Sequence, residues 1–256
     1  MATRLLRINS KFRETAGSSA DFKVIIPVSD LDNVEKITLL SASIPRMFGN
    51  VYPGISIIRW YQGSVPPQIL EVVIPDGQYT AEELAIVLDG RLPLTVTYTD
   101  GRFFFQNSTA DSINLLPSSD TLLSYLGIVD GLNITAGTTE PAPFPPQLQG
   151  PLAIYVQSNA IANNSCLDVL ANGLALPVVV PINISAVPYG FNIGWVAPTT
   201  EEWLLRYSQF PDGQTLRNID IRFCDVYGNV LNLPENAYSD LVFKIYYSPR
   251  NTTNNY

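Results

Sequence analysis

The chain has 256 residues, with 15 lysines and arginines against 23 aspartates and glutamates, for a formal net charge of −8. Apolar residues make up 46% and charged residues only 15%, against about 25% charged in ordinary soluble domains, so the polar cover is thin. There is no histidine, which excludes a Ser-His-Asp triad, a Cys-His dyad, an HExxH zinc site and a histidine general base.

In chain order, the first feature is basic. Arg4, Arg7, Lys11 and Arg13 fall within thirteen residues that hold no acid, while the rest of the chain is acidic. The segment reads either as an arm reaching an acidic partner surface or as an ordinary first strand with solvated basic ends. The acidic remainder argues against direct nucleic-acid binding. No apolar stretch of signal-peptide or membrane-span length is present, so the expected protein is soluble and made inside the cell. Five Asn-x-Ser/Thr sequons, at Asn107, Asn133, Asn163, Asn183 and Asn251, fit a chain rich in those residues better than glycosylation.

Strand signals follow. Phe22, Val24 and Ile26 alternate within 21–27, and further strands are expected over 36–44 and 55–62. Residues 64–150 then read as a small α+β insertion. Thr80 and Glu83 form a capping-box pair, Tyr79 and Leu84 occupy staple positions, and Gly90 can close a helix over 81–89. A hairpin follows over 94–105, with Asp100-Gly101 suited to a type I′ turn that pairs Tyr98 with Phe103 and Val96 with Phe105. Leu122 to Gly127 reads as a brief helix ended by glycine, and Gly137 to Gly150 as a linker or long loop. Beyond it, strands are expected near 153, 176, 191, 216 and 239, with Pro211-Asp212-Gly213 and Gly228-Asn229 as turns. The three strands before the insertion and five after it match an all-β, eight-stranded jelly roll of two packed antiparallel sheets. Residues 1–63 and 151–256 would form the roll.

Candidate chemistry is sparse. Glu82 with Glu83, and Glu201 with Glu202, are adjacent pairs, and neighbours on a helix project about 100° apart rather than onto one point. Glu82 and Glu83 also suit a first helical turn electrostatically. Cys166 and Cys224 have no cationic activator in their sequence neighbourhoods and cannot make a disulfide framework. The run Pro75 to Thr80 has one glycine and no following lysine, so it reads as a strand-to-helix turn rather than a phosphate loop. No catalytic residue, cofactor or metal ligand is expected. The many large rings suit core filling and interfaces, and the scarcity of charge points to burial between subunits.

Several landmarks together resemble a known family. They are Ile8 to Arg13, Asp21-Phe22, Ser43-Ile44-Pro45, Pro75 to Thr80, Tyr125 to Ile128, Ile154-Tyr155-Val156 and Asp225 to Asn229. In this order the chain resembles the single-jelly-roll minor capsid, or penton, proteins of virophages, Polinton-like viruses and large icosahedral DNA viruses. Ile128 stands where the resemblance leads one to expect Phe, a change at the level of packing. The resemblance implies a virion protein assembled inside the host cell as a homopentamer at the fivefold vertices, beside a double-jelly-roll major capsid protein. It brings no catalytic residues. On this reading Arg4, Arg7, Lys11 and Arg13 would face the capsid interior or the neighbouring capsid protein. A cement-type capsid protein of the same fold is one alternative. Another is a jelly roll that binds a host receptor or glycan, with Trp60, Trp195 and Trp203 as stacking rings. A carboxylate-based glycosidase needs two carboxylates flanking a cleft, and no pair proposes itself.

Overall fold

The computed structural model describes residues 2–14, 17–26, 32–63, 68–117, 121–161, 167–169, 175–198 and 208–248. Three strands open the chain: β1 (Ala2–Asn9), β2 (Asp21–Ile25) and β3 (Val34–Pro45). Next come β4 (Ile57–Gln62), β5 (Ile69–Val73), the helix α1 (Ala81–Asp89), β6 (Thr95–Thr99), β7 (Arg102–Gln106), β8 (Ile113–Leu116), β9 (Leu132–Ile134) and β10 (Thr139–Pro141). The last seven are β11 (Ala153–Gln157), β12 (Leu167–Val169), β13 (Ala175–Asn183), β14 (Asn192–Val196), β15 (Ser208–Gln214), β16 (Asn218–Cys224) and β17 (Asp240–Tyr247). The chain divides into two compact units, one of residues 1–47 and 151–256 and the other of Phe48–Gly150.

The discontinuous unit is a jelly roll, and its strand order shows it. One sheet runs β1-β17-β3-β14, with β15 also pairing β3; the other runs β12-β13-β11-β16-β2, and every pairing is antiparallel. Lettering the roll positions B to I along the chain makes β1 B, β2 C, β3 D, β11 E and β13 F. Then β14 and β15 share G, β16 is H and β17 is I. The two sheets then read B-I-D-G and C-H-E-F, the arrangement that two interleaved Greek keys produce.

Alternation builds the core. Ile8, Ile37, Ile44, Leu241, Phe243 and Ile245 are buried on the first sheet, and Phe22, Ile154, Val156, Ile219, Ile221 and Phe223 on the second. Phe22 and Phe223 meet with ring centroids 6.0 Å apart at 60°, a tilted aromatic pair.

The eight-strand expectation needs three corrections. Among the described residues the unit has ten strands rather than eight, because the G position is split in two and β12 is added outside β13. The strand expected near 55 is β4, which pairs β5 and β8 in the other unit, so the boundary lies at 47/48 rather than 63/64. The B position is filled instead by β1, the basic segment whose first-strand reading is not included in the count of eight. Pro211-Asp212-Gly213 lies within β15 rather than in a turn between strands. It falls where the β15–β3 register jumps between Gln209 and Gln214, so the ladder steps around these three residues. Pro181 sits in β13 beyond the Ala175–Pro177 stretch that pairs β12, where a missing N–H faces no described strand.

The unit of residues 48–150 holds a four-stranded sheet, β5-β4-β8-β9, and a three-stranded one, β10-β7-β6. Here local sequence and structure agree closely. Thr80 caps α1, its side chain accepting from the Glu83 N–H while the Glu83 carboxylate accepts from the Thr80 N–H. The β6–β7 register pairs Tyr98 with Phe103 and Val96 with Phe105, and both turn residues have positive φ, Asp100 at 51° and Gly101 at 75°. Gly90, by contrast, is right-handed at φ −76°. It is nevertheless the C-cap of α1, its N–H donating to the Ile86 carbonyl, and Pro93, which disfavours helical backbone in Leu92, keeps the helix from resuming. The brief helix near 122 is a 3-10 turn, Leu122–Ser124. Gly127 follows at φ +88°, where an added Cβ would stand 1.9 Å from the Phe144 carbonyl oxygen.

The segment 137–150 is tied down rather than linker-like. It supplies β10 and donates from Phe144 N to Gly127 O and from Gln147 N to Tyr125 O. Asn50 completes the closure. Its buried amide donates to Tyr79 O (2.8 Å) and Leu148 O (2.9 Å) and accepts from Tyr79 N (2.9 Å). One side chain thus joins the entry of this unit, its turn before α1 and its exit.

Candidate functional site: edges and faces of the roll

The four basic residues do not form a detached arm. Arg7 makes a two-point contact with Asp240 on β17, Nε to Oδ1 at 2.9 Å and a terminal nitrogen to Oδ2 at 2.8 Å. This pairing raises the Arg7 pKa and lowers that of Asp240. The Arg13 guanidinium donates to the carbonyls of Gly17, Ser10 and Glu235, which folds the chain back after β1. Arg4 lies over the Tyr247 ring, 5.6 Å from its centroid. Lys11 is exposed in the 3-10 turn that follows β1. The strand reading of this segment therefore describes its structure, and its charges are spread along one edge rather than gathered.

A different cationic cluster forms across strands. Lys36 on β3 and Lys244 on β17 flank Tyr246, their ammonium groups 5.2 and 5.0 Å from its ring centroid. Lys36 pairs directly with Tyr246 in the β17–β3 ladder. These residues are more than 200 positions apart in sequence, so only the I-to-D pairing reveals them. They lie on the outward face of the first sheet, opposite the buried Ile37, Phe243 and Ile245.

The roll also leaves large apolar side chains in solvent at opposite edges. At the B and C side, Leu5 on β1 and Ile25 on β2 are each 66% exposed. At the G side, Val196 on β14 is 74% exposed and Phe191, just before it, 63%. The Phe191 carbonyl accepts from Arg46 N at 2.8 Å, continuing the ladder past the end of β3. Among the described strands, β1 has a partner on one side only.

Other polar features hold structure together. Asp220 on β16 accepts from Asn159 N (2.9 Å), Asn159 Nδ2 (2.9 Å), Ala160 N (2.8 Å) and Ser158 Oγ (3.3 Å), fastening the turn after β11. Burial pushes its carboxyl up, but the bonds from Asn159 and Ala160 outweigh that and hold it below the ordinary value. Asp225 caps the turn after β16 through Tyr227 N and Asn229 N. Cys224 is buried, and burial chiefly pushes its thiol up to about 12, with Arg222 opposing and Asp225 and Asp21 assisting. That is the opposite of nucleophile activation.

Of the carboxylate pairs, Glu83 is spent in the capping box, while Glu201 and Glu202 lie outside the described residues, as do Cys166 and Trp203. Trp60 is only 7% exposed on β4, so its ring has no face for a sugar, and Trp195 is half-buried. Among the described residues, no three potential metal ligands of the His, Cys, Asp and Glu types converge, and no helix is long and apolar enough to cross a membrane.

No protein-family model matches the sequence, and no curated protein matches it. Among solved structures, the chain is similar to the selenomethionine-labelled mavirus penton protein. That similarity covers 97% of this chain and 100% of the other at 9% identity, with a TM-score of 0.44. The jelly-roll assignment rests on the strand order.

Proposed function

We propose that this chain is a non-enzymatic structural subunit of an icosahedral viral capsid, a penton that forms homopentamers at the fivefold vertices. Its neighbour there would be a double-jelly-roll major capsid protein, and it would reside in the virion after assembly in the host cell. The observation that carries this reading is the pair of exposed apolar edges on a complete jelly roll. Leu5 and Ile25 mark one side, and Val196 and Phe191 mark the other. Exposed apolar side chains at opposite edges suit a heterologous contact, in which one edge of each copy meets the other edge of the next and rotation closes a ring. A chain with 15% charged residues gains by such burial. The ordered sequence landmarks from Ile8 to Asn229 support the same family, and the Lys36–Lys244 face suits an acidic neighbouring surface.

Negative-stain imaging of the purified full chain tests the proposal. Rings with fivefold symmetry are expected, and Val196→Asp should disperse them into folded single subunits. Fields of single subunits from the unaltered chain at all concentrations would overturn the reading.

A further inference from the structure

Among the described residues, the second unit carries a strand edge that faces a helix and no further strand. β6 is the outer strand of the β10-β7-β6 sheet, and α1 runs beside it, leaving a groove of about 330 Å³. On the helix side Glu82, Ala85, Ile86 and Asp89 line the groove, a stripe spaced i, i+3, i+4, i+7. On the strand side four consecutive residues line it, Thr95 to Tyr98. Side chains alternate across a strand, so a groove lying on one sheet face would meet every second residue. Consecutive contact places this groove along the backbone edge.

Hydrogen-bond parity says what that edge offers. A two-residue turn makes Thr99 and Arg102 exchange bonds, so Thr97 and Thr95 also face β7. Val96 and Tyr98 therefore turn their N–H and C=O groups toward the groove. Two bonds agree with this phase. The Phe103 carbonyl, opposite Tyr98, accepts from Ala142 N at 2.7 Å toward β10, and Val96 N donates to Asp89 Oδ1 at 2.9 Å. Asp89 thus closes the groove at Val96. The helix and strand run in opposite directions through the Gly90–Leu94 connection, so Glu82 lies toward Tyr98, where the edge N–H meets no described acceptor. α1 covers the Val96 end of this edge through Asp89, while the strand itself, Thr-Val-Thr-Tyr-Thr, has no lysine, proline or bulge to guard the Tyr98 end.

We infer that the α1–β6 groove binds an extended segment of a partner protein by strand addition at Tyr98, with a lysine or arginine of that segment paired to Glu82. Charge complementarity selects the occupant. The groove is lined by two carboxylates and no cation, and Ile86, 73% exposed, adds an apolar wall. A second copy of this chain, itself at net −8, is a poorer match. Main-chain bonds would supply affinity, and the helix stripe would read the side chains.

The test uses the full chain and fluorescent acetylated heptapeptides, randomised except for a central residue fixed as Lys or as Glu. The Lys set should bind more tightly by about fivefold or more, and Glu82→Gln should remove most of that difference. Methylating the backbone nitrogens of the best binder should abolish binding while leaving its side chains intact. Amide exchange at Tyr98 should slow with bound peptide while that at Thr97 stays unchanged, and far-UV circular dichroism of each protein variant alone should report an intact fold. Equal binding of the two sets, undiminished binding of the methylated peptide, or no binding by any member would overturn the inference. Self-association abolished by Glu82→Gln would assign the groove to a second copy and overturn it too.

Discussion

Replacing Asn50 with alanine should destabilise the 48–150 unit more than any surface change in it. The side chain is 1% exposed and serves three partners, the N–H and C=O of Tyr79 and the C=O of Leu148. Truncation strands all three, and a buried group left without a partner costs about 1–3 kcal/mol. Water entering the vacated space would recover part of that, so a net loss of about 3 kcal/mol is expected. Asn50→Asp keeps the size and the bond from Tyr79 N, but it turns a carboxylate oxygen toward two carbonyls and should cost at least as much. The assay is urea unfolding followed by fluorescence in a Trp195→Phe, Trp203→Phe background. There Trp60, buried on β4, reports this unit alone. A loss below about 1 kcal/mol for Asn50→Ala would refute the view that one amide closes the unit.

Three further outcomes follow from single sites. Asp220→Asn should lower stability near neutral pH by about 1–3 kcal/mol, measured by denaturant unfolding, because it replaces a carboxylate accepting four bonds. The folded-state pKa of Asp220 lies below its unfolded value, so its contribution is complete above about pH 4 and fades as pH falls through the folded value. The variant's stability should therefore fall less steeply in acid. In a Cys166→Ser background, Cys224 should resist Ellman's reagent while folded and react at once in concentrated guanidinium; rapid labelling of the folded chain would contradict its burial and raised pKa. Gly127→Ala should destabilise well beyond the about 1–2 kcal/mol of a left-handed alanine, since its Cβ would strike the Phe144 carbonyl, whereas Gly101→Ala, with open space around it, should cost about that amount. Thermal unfolding of the two variants side by side distinguishes them.

What could be read directly from sequence was local. The Thr80–Glu83 box spans four residues and the Asp100-Gly101 turn two, so their geometry is written in neighbouring side chains. The jelly-roll class was legible too, because alternation marks a half-buried strand wherever it pairs. Which strand meets which was not. Ile58 and Trp60 alternate identically whether β4 joins the roll or the inserted unit, and its pairing with β5 and β8 places it in the latter. β1 pairs β17 across more than 230 residues, and with Ile8 its one fully buried position, the sequence left the choice between strand and arm open. The candidate surfaces were the least legible part. Lys36 and Lys244 become neighbours only through the D and I strands. The groove beside β6 depends on which backbone groups face outward, a phase set by the hairpin turn and not by residue type.

Sedimentation equilibrium of the purified full chain tests the central claim most directly. A closed ring of five predicts a species of about 141 kDa, five times the 28.2 kDa chain, that persists on dilution and collapses to single folded subunits with Val196→Asp. A mass of one chain at every concentration, or one that climbs without limit, would contradict it.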